Sequence, residues 1–226
     1  MKRLIIALFA LCGCTNADIG YEYLDTPYKS DPLGEEKLPD ADPLIRTDAF
    51  DCTTFVETVL ADGDVEKLNK IRYKDGNVDF LSRNHFIEID WLPNNSDIVQ
   101  DVTADYGKTA VRNVMIDKKN WFKIVHGIDT DFSKKTVSLN YIPYNELKAI
   151  RPTEPLIVLF ITGKSEKSGK IGTDLAVVHM GFLLPDGKLR HASSQYGKVM
   201  DTDFYEYAMN RAKNKQNIGI MLVSIK

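Results

Sequence analysis

Thiols are scarce in this chain: three cysteines in 226 residues, two of them within the first 14, so that Cys52 alone stands beyond the N-terminal segment. A disulfide framework is excluded. Histidine is nearly as rare, at four. With one downstream thiol, the histidines form no CxxC, HExxH or other metal-ligand spacing, so neither a metal nor another cofactor is expected. No Lys/Arg run exceeds two residues, and 29 basic against 32 acidic side chains leave a net charge of −3, which argues against an electrostatic hold on nucleic acid. "GKSEKSGKI" at 163–171 fails as a phosphate loop, because its glycines are wrongly spaced and Ile171 stands where a magnesium-binding Ser or Thr belongs. There is no internal repeat and no linker that would divide the chain. What remains is 43% hydrophobic and long enough to bury a sizeable core.

The N-terminus reads as an address. Met1, Lys2 and Arg3 precede an unbroken apolar run from Leu4 to Leu11. That run is far short of the ~20 residues that cross a bilayer and has the layout of a secretory signal. Leu11, Cys12, Gly13 and Cys14 resemble a bacterial lipobox, which implies cleavage after residue 13 and lipidation of Cys14; ordinary cleavage near Ala17 and an uncleaved anchor are the alternatives. Thr15 rather than Asp after that cysteine favours the outer membrane. The expectation is therefore an exported protein held at the periplasmic face by its lipid, with residues 14–47 forming the anchor and a proline-rich irregular arm.

Residues 48–226 read as one α+β domain. From Phe50 to Ala61, apolar residues at Cys52, Phe55, Val56, Val59 and Leu60 follow helical spacing, with Asp48 or Asp51 as cap and Asp62-Gly63 as stop. Further helices are expected over Val65–Tyr73, Asn113–Val125, Pro143–Ile150 and Asp203–Lys213. Extended structure is expected around Phe86, Ile87, Ile89 and Trp91, and strands at Val137–Tyr141, Leu156–Thr162 and Ile218–Ile225. Residues 174–184 and 188–194 read as an antiparallel hairpin turning at Pro185-Asp186-Gly187.

Chemistry is concentrated in few side chains. Cys52 opens a helix, where free N–H groups and the macrodipole favour a thiolate, although its place on the apolar stripe also suits a buried small hydrophobe. His179 and His191 lie on the two arms of the hairpin. If Leu184 pairs with Lys188 the two share a face, as they do if the register shifts by two, whereas a shift by one separates them. Each alone also suits a half-buried strand residue. A thiol at a helix start, an imidazole base and a polar residue orienting that base make the set needed for acyl transfer. The Cys52 N–H would serve as one oxyanion donor.

"DCTTFV", "VVHMGF" and "LRHAS" resemble the NlpC-type, papain-like peptidoglycan hydrolases. More narrowly, "DPLGE", "PLIRTDAFDCTTFVETVLA", "IRYKDG", "SRNHFIEIDW" and "NYIP" resemble the N-acetylmuramoyl-L-alanine amidase-like family, over a match from about Tyr28 to the C-terminus. The resemblance implies a papain-like fold, with the nucleophile helix packed on an antiparallel sheet. It makes Cys52 the nucleophile, His179 the base and His191 the orienting residue. Arg83, Asn84, His85 and Trp91 become candidates for substrate contact. The implied reaction is cleavage of the amide between N-acetylmuramic acid and L-alanine in peptidoglycan or its fragments, by a monomer. An L-alanyl-γ-D-glutamyl endopeptidase and a lipid-anchored binding module without turnover are the alternatives.

Overall fold

A computed structural model describes residues 19–32, 34–148, 150–164 and 167–226. The expectations for the signal segment and for lipidation at Cys14 lie outside the described residues. The described residues form eight strands: β1 Val99–Asp101, β2 Ala110–Ile116, β3 Lys135–Pro143, β4 Leu156–Thr162, β5 Val177–Leu183, β6 Lys188–Ser193, β7 Lys198–Asp203 and β8 Asn217–Ile225. The helices are α1 Cys52–Ala61, α2 Val65–Arg72, α3 Leu92–Asn94, α4 Thr103–Tyr106, α5 Lys118–Trp121, α6 Lys167–Ile171 and α7 Phe204–Ala212. The strands form one sheet in the order β2-β3-β8-β4-β5-β6-β7, with β1 also on β8, and every pairing is antiparallel.

The sheet is covered on both faces, which explains why β4 is an unbroken apolar run. Ile157, Leu159 and Ile161 join Phe55 and Val56 of α1 in one core, while Leu156, Val158 and Phe160 join Phe204 and Ala208 of α7 in another. Each fully buried Leu, Ile or Phe contributes roughly 1.5–3 kcal/mol, so this strand alone anchors both layers. The arm turns irregularly and lies along β7. Thr26, Tyr28 and Asp25 exchange backbone hydrogen bonds with Val199 and Gly197, and Pro27 bridges Lys198.

Three local expectations are corrected. Phe86 is extended as expected, but Ile87, Ile89 and Trp91 are not: Ile87–Trp91 form a π-helical turn that continues into α3, with all five residues buried. Asn113–Val125 is not one helix. Its first part belongs to β2, Asp117 caps α5 by accepting from Asn120 N–H, and a π turn runs from Phe122 to His126. Pro143 ends β3, and among the described residues of 143–150 only Tyr144–Glu146 turns helically, as a single 3-10 turn.

Candidate active site

The start of α1 is fixed by a capping box. Asp51 Oδ1 accepts from the Thr54 N–H at 2.8 Å, and Thr54 Oγ1 accepts from the Asp51 N–H at 3.0 Å. Cys52 is thereby the first residue of the helix, with partial exposure. Its sulfur lies against β5, where the backbone N–H of Met180, the residue after His179, points at it. That N–H is available because of how β5 and β6 separate. Leu184 N–H bonds to Lys188 O, so even-numbered residues of β5 direct their N–H groups toward β6. The two strands pair only at Phe182↔Arg190 and Leu183↔Leu189, and α1 reaches the sheet beyond that point.

These pairs have the register of Leu184 opposite Lys188, so the histidines share a face. His179 Nε2 lies 2.7 Å from His191 Nδ1. Gly181 makes the approach possible: a Cβ there would lie 2.7 Å from Arg190 O and 2.8 Å from His191 Cβ. The rings sit among aromatics, with Phe160 at 5.5 Å from His179 and Tyr207 at 4.8 Å from His191, centroid to centroid. His191 is fully buried, and its Nε2 has no hydrogen-bond partner among the described residues.

Burial dominates the electrostatics. It pushes the Cys52 thiol up to about 11, with Asp51 adding to the rise and the Met180 N–H and Thr53 hydroxyl opposing it. The expected thiolate is therefore not the resting form. Burial also holds His179 well below the ordinary imidazole range, reinforced by His191 and Arg211. Burial and Arg211 bring His191 to about 4 against the pull of Asp201. The resting set is a neutral thiol beside two neutral imidazoles. For His179 Nδ1 to accept a proton, its Nε2–H must donate to His191 Nδ1.

An open cleft of about 240 Å³ adjoins the helix start, lined by Asp31, Asp51, Thr53, Thr54, Glu57, Phe80, Arg83, Asn84, His85, Trp121 and His126. Arg83 stands on its wall in a 2.9 Å ion pair with Asp40. Asn84 reaches the cleft with its amide already engaged, donating to Ile71 O at 2.9 Å and accepting from Asn94 Nδ2 at 2.6 Å. His85 Nε2 contacts Phe80 O at 2.7 Å, and burial brings its pKa to about 3, so it lines the cleft uncharged. Trp91 is a correction. It is fully buried and its indole N–H donates to Glu57 Oε1 at 3.1 Å, so it is a core residue rather than part of the cleft wall. Glu57 is structural, pairing with Arg72 at 3.2 Å beneath α1.

A family model described as AmiA-like, N-acetylmuramoyl-L-alanine amidase-like, matches residues 18–218. The chain belongs to the N-acetylmuramoyl-L-alanine amidase-like family. No curated protein matches it. Among solved structures, the Legionella pneumophila protein LPG0564, of family DUF1460, is similar with a TM-score of 0.83 at 25% identity, over 93% of this chain and 87% of that one. An N-acetylmuramoyl-L-alanine amidase from Bacteroides uniformis is similar with a TM-score of 0.71 at 27% identity, over 93% and 97%. A Bacteroides fragilis protein labelled a candidate xylanase is similar with a TM-score of 0.71 at 26% identity, over 92% and 99%. The family assignment carries with it an amidase-like peptidoglycan hydrolase.

Within this amidase-like site, sequence reasoning missed Trp121 and His126, which enter the cleft from the α5 region, and Tyr207 beside the histidines. The α5 region matches none of the motifs that carried the resemblance. Tyr207 lies on a helix whose aromatic residues follow the spacing of an ordinary core face.

Proposed function

We propose that this chain is a cysteine amidase of the NlpC-type, papain-like kind that cleaves the bond between the lactyl group of N-acetylmuramic acid and L-alanine in peptidoglycan or its fragments. The observation that carries the reading is that a thiol at a helix start accepts from the backbone N–H of Met180, the residue that follows His179, while His179 is bonded to His191 at 2.7 Å. Because thiol and imidazole are both neutral at rest, proton transfer accompanies attack. Cys52 Sγ adds to the lactyl carbonyl as its proton passes to His179 Nδ1. The imidazolium returns that proton to the L-alanine nitrogen as the C–N bond breaks, leaving a thioester. Water then adds with His179 as base, releasing the lactyl carboxylate and restoring the thiol. His191 holds the Nε2–H tautomer throughout.

A glycosidase needs two carboxyl groups free to face the sugar. Two carboxyl groups beside Cys52 are committed elsewhere, Asp51 to capping α1 and Glu57 to Arg72 and Trp91. The exported, lipid-anchored state at the periplasmic face of the outer membrane is part of the proposal, resting on the layout of residues 1–14. Digestion of defined muropeptides followed by mass spectrometry is the test. Peptide-free sugar supports the amidase, sugar still carrying L-alanine replaces it with the endopeptidase, and muropeptide bound but uncleaved by the wild type, and bound equally by Cys52→Ala, means a binding module.

A further inference from the structure

β5 does not run evenly past β4. Phe160 pairs with His179, but the next residue, Ile161, pairs with Val177, so Val178 is an inserted residue and the strand bulges there. The bulge reverses the alternation of side chains. Val177 packs in the core beneath α1, whereas His179, two residues on, faces Phe160 and Tyr207 on the other side of the sheet. In an even strand these two would share a face. The register with β4 and β6 places His179 on the face of His191, and the bulge lies immediately before it, where that regular stretch of β5 begins.

A bulge also leaves backbone N–H groups without their ladder partners, and Glu88 takes two of them. Its Oε1 accepts from Ala176 N–H at 2.7 Å and from Val177 N–H at 2.8 Å. Successive N–H groups of an even strand point to opposite sides, so their convergence on one oxygen belongs to the same irregularity. Glu88 is 3% exposed, comes from the distant π turn, and leaves Oε2 buried without a partner among the described residues. Among the described residues it has no ion-pair partner, and Asp174 repels its charge. A buried acid without counter-charge is a costly way to fill space, and the two N–H groups account for its presence.

We propose that Glu88 is a positioning residue for the amide cleavage: by accepting both N–H groups it fixes the bulge at Val178, and so the backbone directly ahead of His179, which keeps the His179 imidazole in bonding position beside His191. The inference rests on His179 being the base. Glu88→Asp withdraws the acceptor by one methylene, whereas Glu88→Gln keeps an oxygen in place and resembles the neutral carboxyl that burial favours.

The experiment measures kcat, KM and their pH dependence on a muropeptide for both variants. In parallel, the imidazole nitrogens of His179 and His191 and the amide protons of Ala176 and Val177 are followed by NMR. The expected result is a fall in kcat of at least ~10-fold in Glu88→Asp with KM nearly unchanged, a shifted pH profile, displaced His179 signals, and recovery of most activity in Glu88→Gln. Wild-type kcat and pH profile in Glu88→Asp, with the Ala176 and Val177 amides displaced, would overturn the proposal, as would Glu88→Gln being as impaired as Glu88→Asp. If the wild type cleaves no muropeptide, the NMR arm stands alone. Histidine signals that follow the Glu88 substitutions uphold the positioning even though the substrate reading has failed, and histidine signals that ignore them end it.

Discussion

The two sides of Cys52 are built on opposite principles. On the sheet side, His179 and His191 share one polar contact inside a shell of Phe160, Tyr207 and aliphatic residues, and burial keeps both uncharged. On the cleft side, charge is gathered and balanced: Arg83 with Asp40, and Arg72 with Glu57 and with the carbonyl of Leu44 at 2.7 Å. The first arrangement suits moving a proton, because neutral groups in an apolar shell can exchange one without first shedding a counter-ion. The second suits holding a shape and presenting a polar wall. Catalysis and architecture are thus separated across about one helix turn, and each side is expected to fail in its own way.

The largest effect should come from the sheet side. Cys52→Ala is expected to lower muropeptide hydrolysis by at least ~10³-fold, and His179→Ala by ~10²–10⁴-fold, with unfolding curves close to wild type. Product release followed by mass spectrometry measures it. If both variants kept their turnover, the division between the two sides would collapse.

Next comes a break on the other side. Arg72→Ala leaves Glu57 buried without its cation, and urea unfolding should show a loss of about 3–5 kcal/mol. The double variant Arg72→Met, Glu57→Leu should recover much of it, since it leaves no charge stranded.

Acidity sharpens the contrast through its sign. A histidine whose folded pKa lies below 6.5 takes up its proton more readily when unfolded, so stability falls as pH drops from 6.5 toward about 4, the value for His191. The buried acids Glu35 and Glu57, whose pKa values burial raises, act in the opposite direction. The difference in urea midpoint between wild type and His191→Asn isolates the histidine part, and it should shrink with falling pH as the wild type loses more. The same depressed values predict that the acid limb of kcat/KM lies below pH 6.5. Alkylation of Cys52 by iodoacetamide should be slow near neutrality and rise toward pH 11.

The smallest effect concerns the cleft rim. His126→Ala is expected to raise KM roughly two- to fivefold with kcat unchanged. A matching fall in kcat would mean that the rim takes part in the chemistry.

How much of this was legible in the sequence depends on where polar residues are buried. The helix at Cys52 could be read because its apolar stripe is regular and Asp51 lies one residue ahead of it. The meeting of the histidines could be read because Pro185-Asp186-Gly187 sets the register of the hairpin. Residues 87–91 were misread for a physical reason. Glu88 and Asp90 are buried beside Ile87, Ile89 and Trp91, one bonded to backbone N–H groups and the other to Lys118 at 2.9 Å. Polar residues buried between apolar ones imitate the alternation of a strand. The stretch from Asn113 to Val125 misled in the converse way: Met115, Ile124 and Val125 are exposed, and they completed a helical pattern that no core supports. The bulge at Val178 leaves no local mark, because the residue it inserts is an ordinary valine.

The arm, finally, gives the sheet unequal rims. A strand with a bare side is an invitation to any passing extended peptide, and β7, two strands from His179, would be such a side. Residues 25–28 occupy it from within the same chain, so foreign strands are kept from adding next to the histidines, and the protection is lost with any truncation that removes the arm.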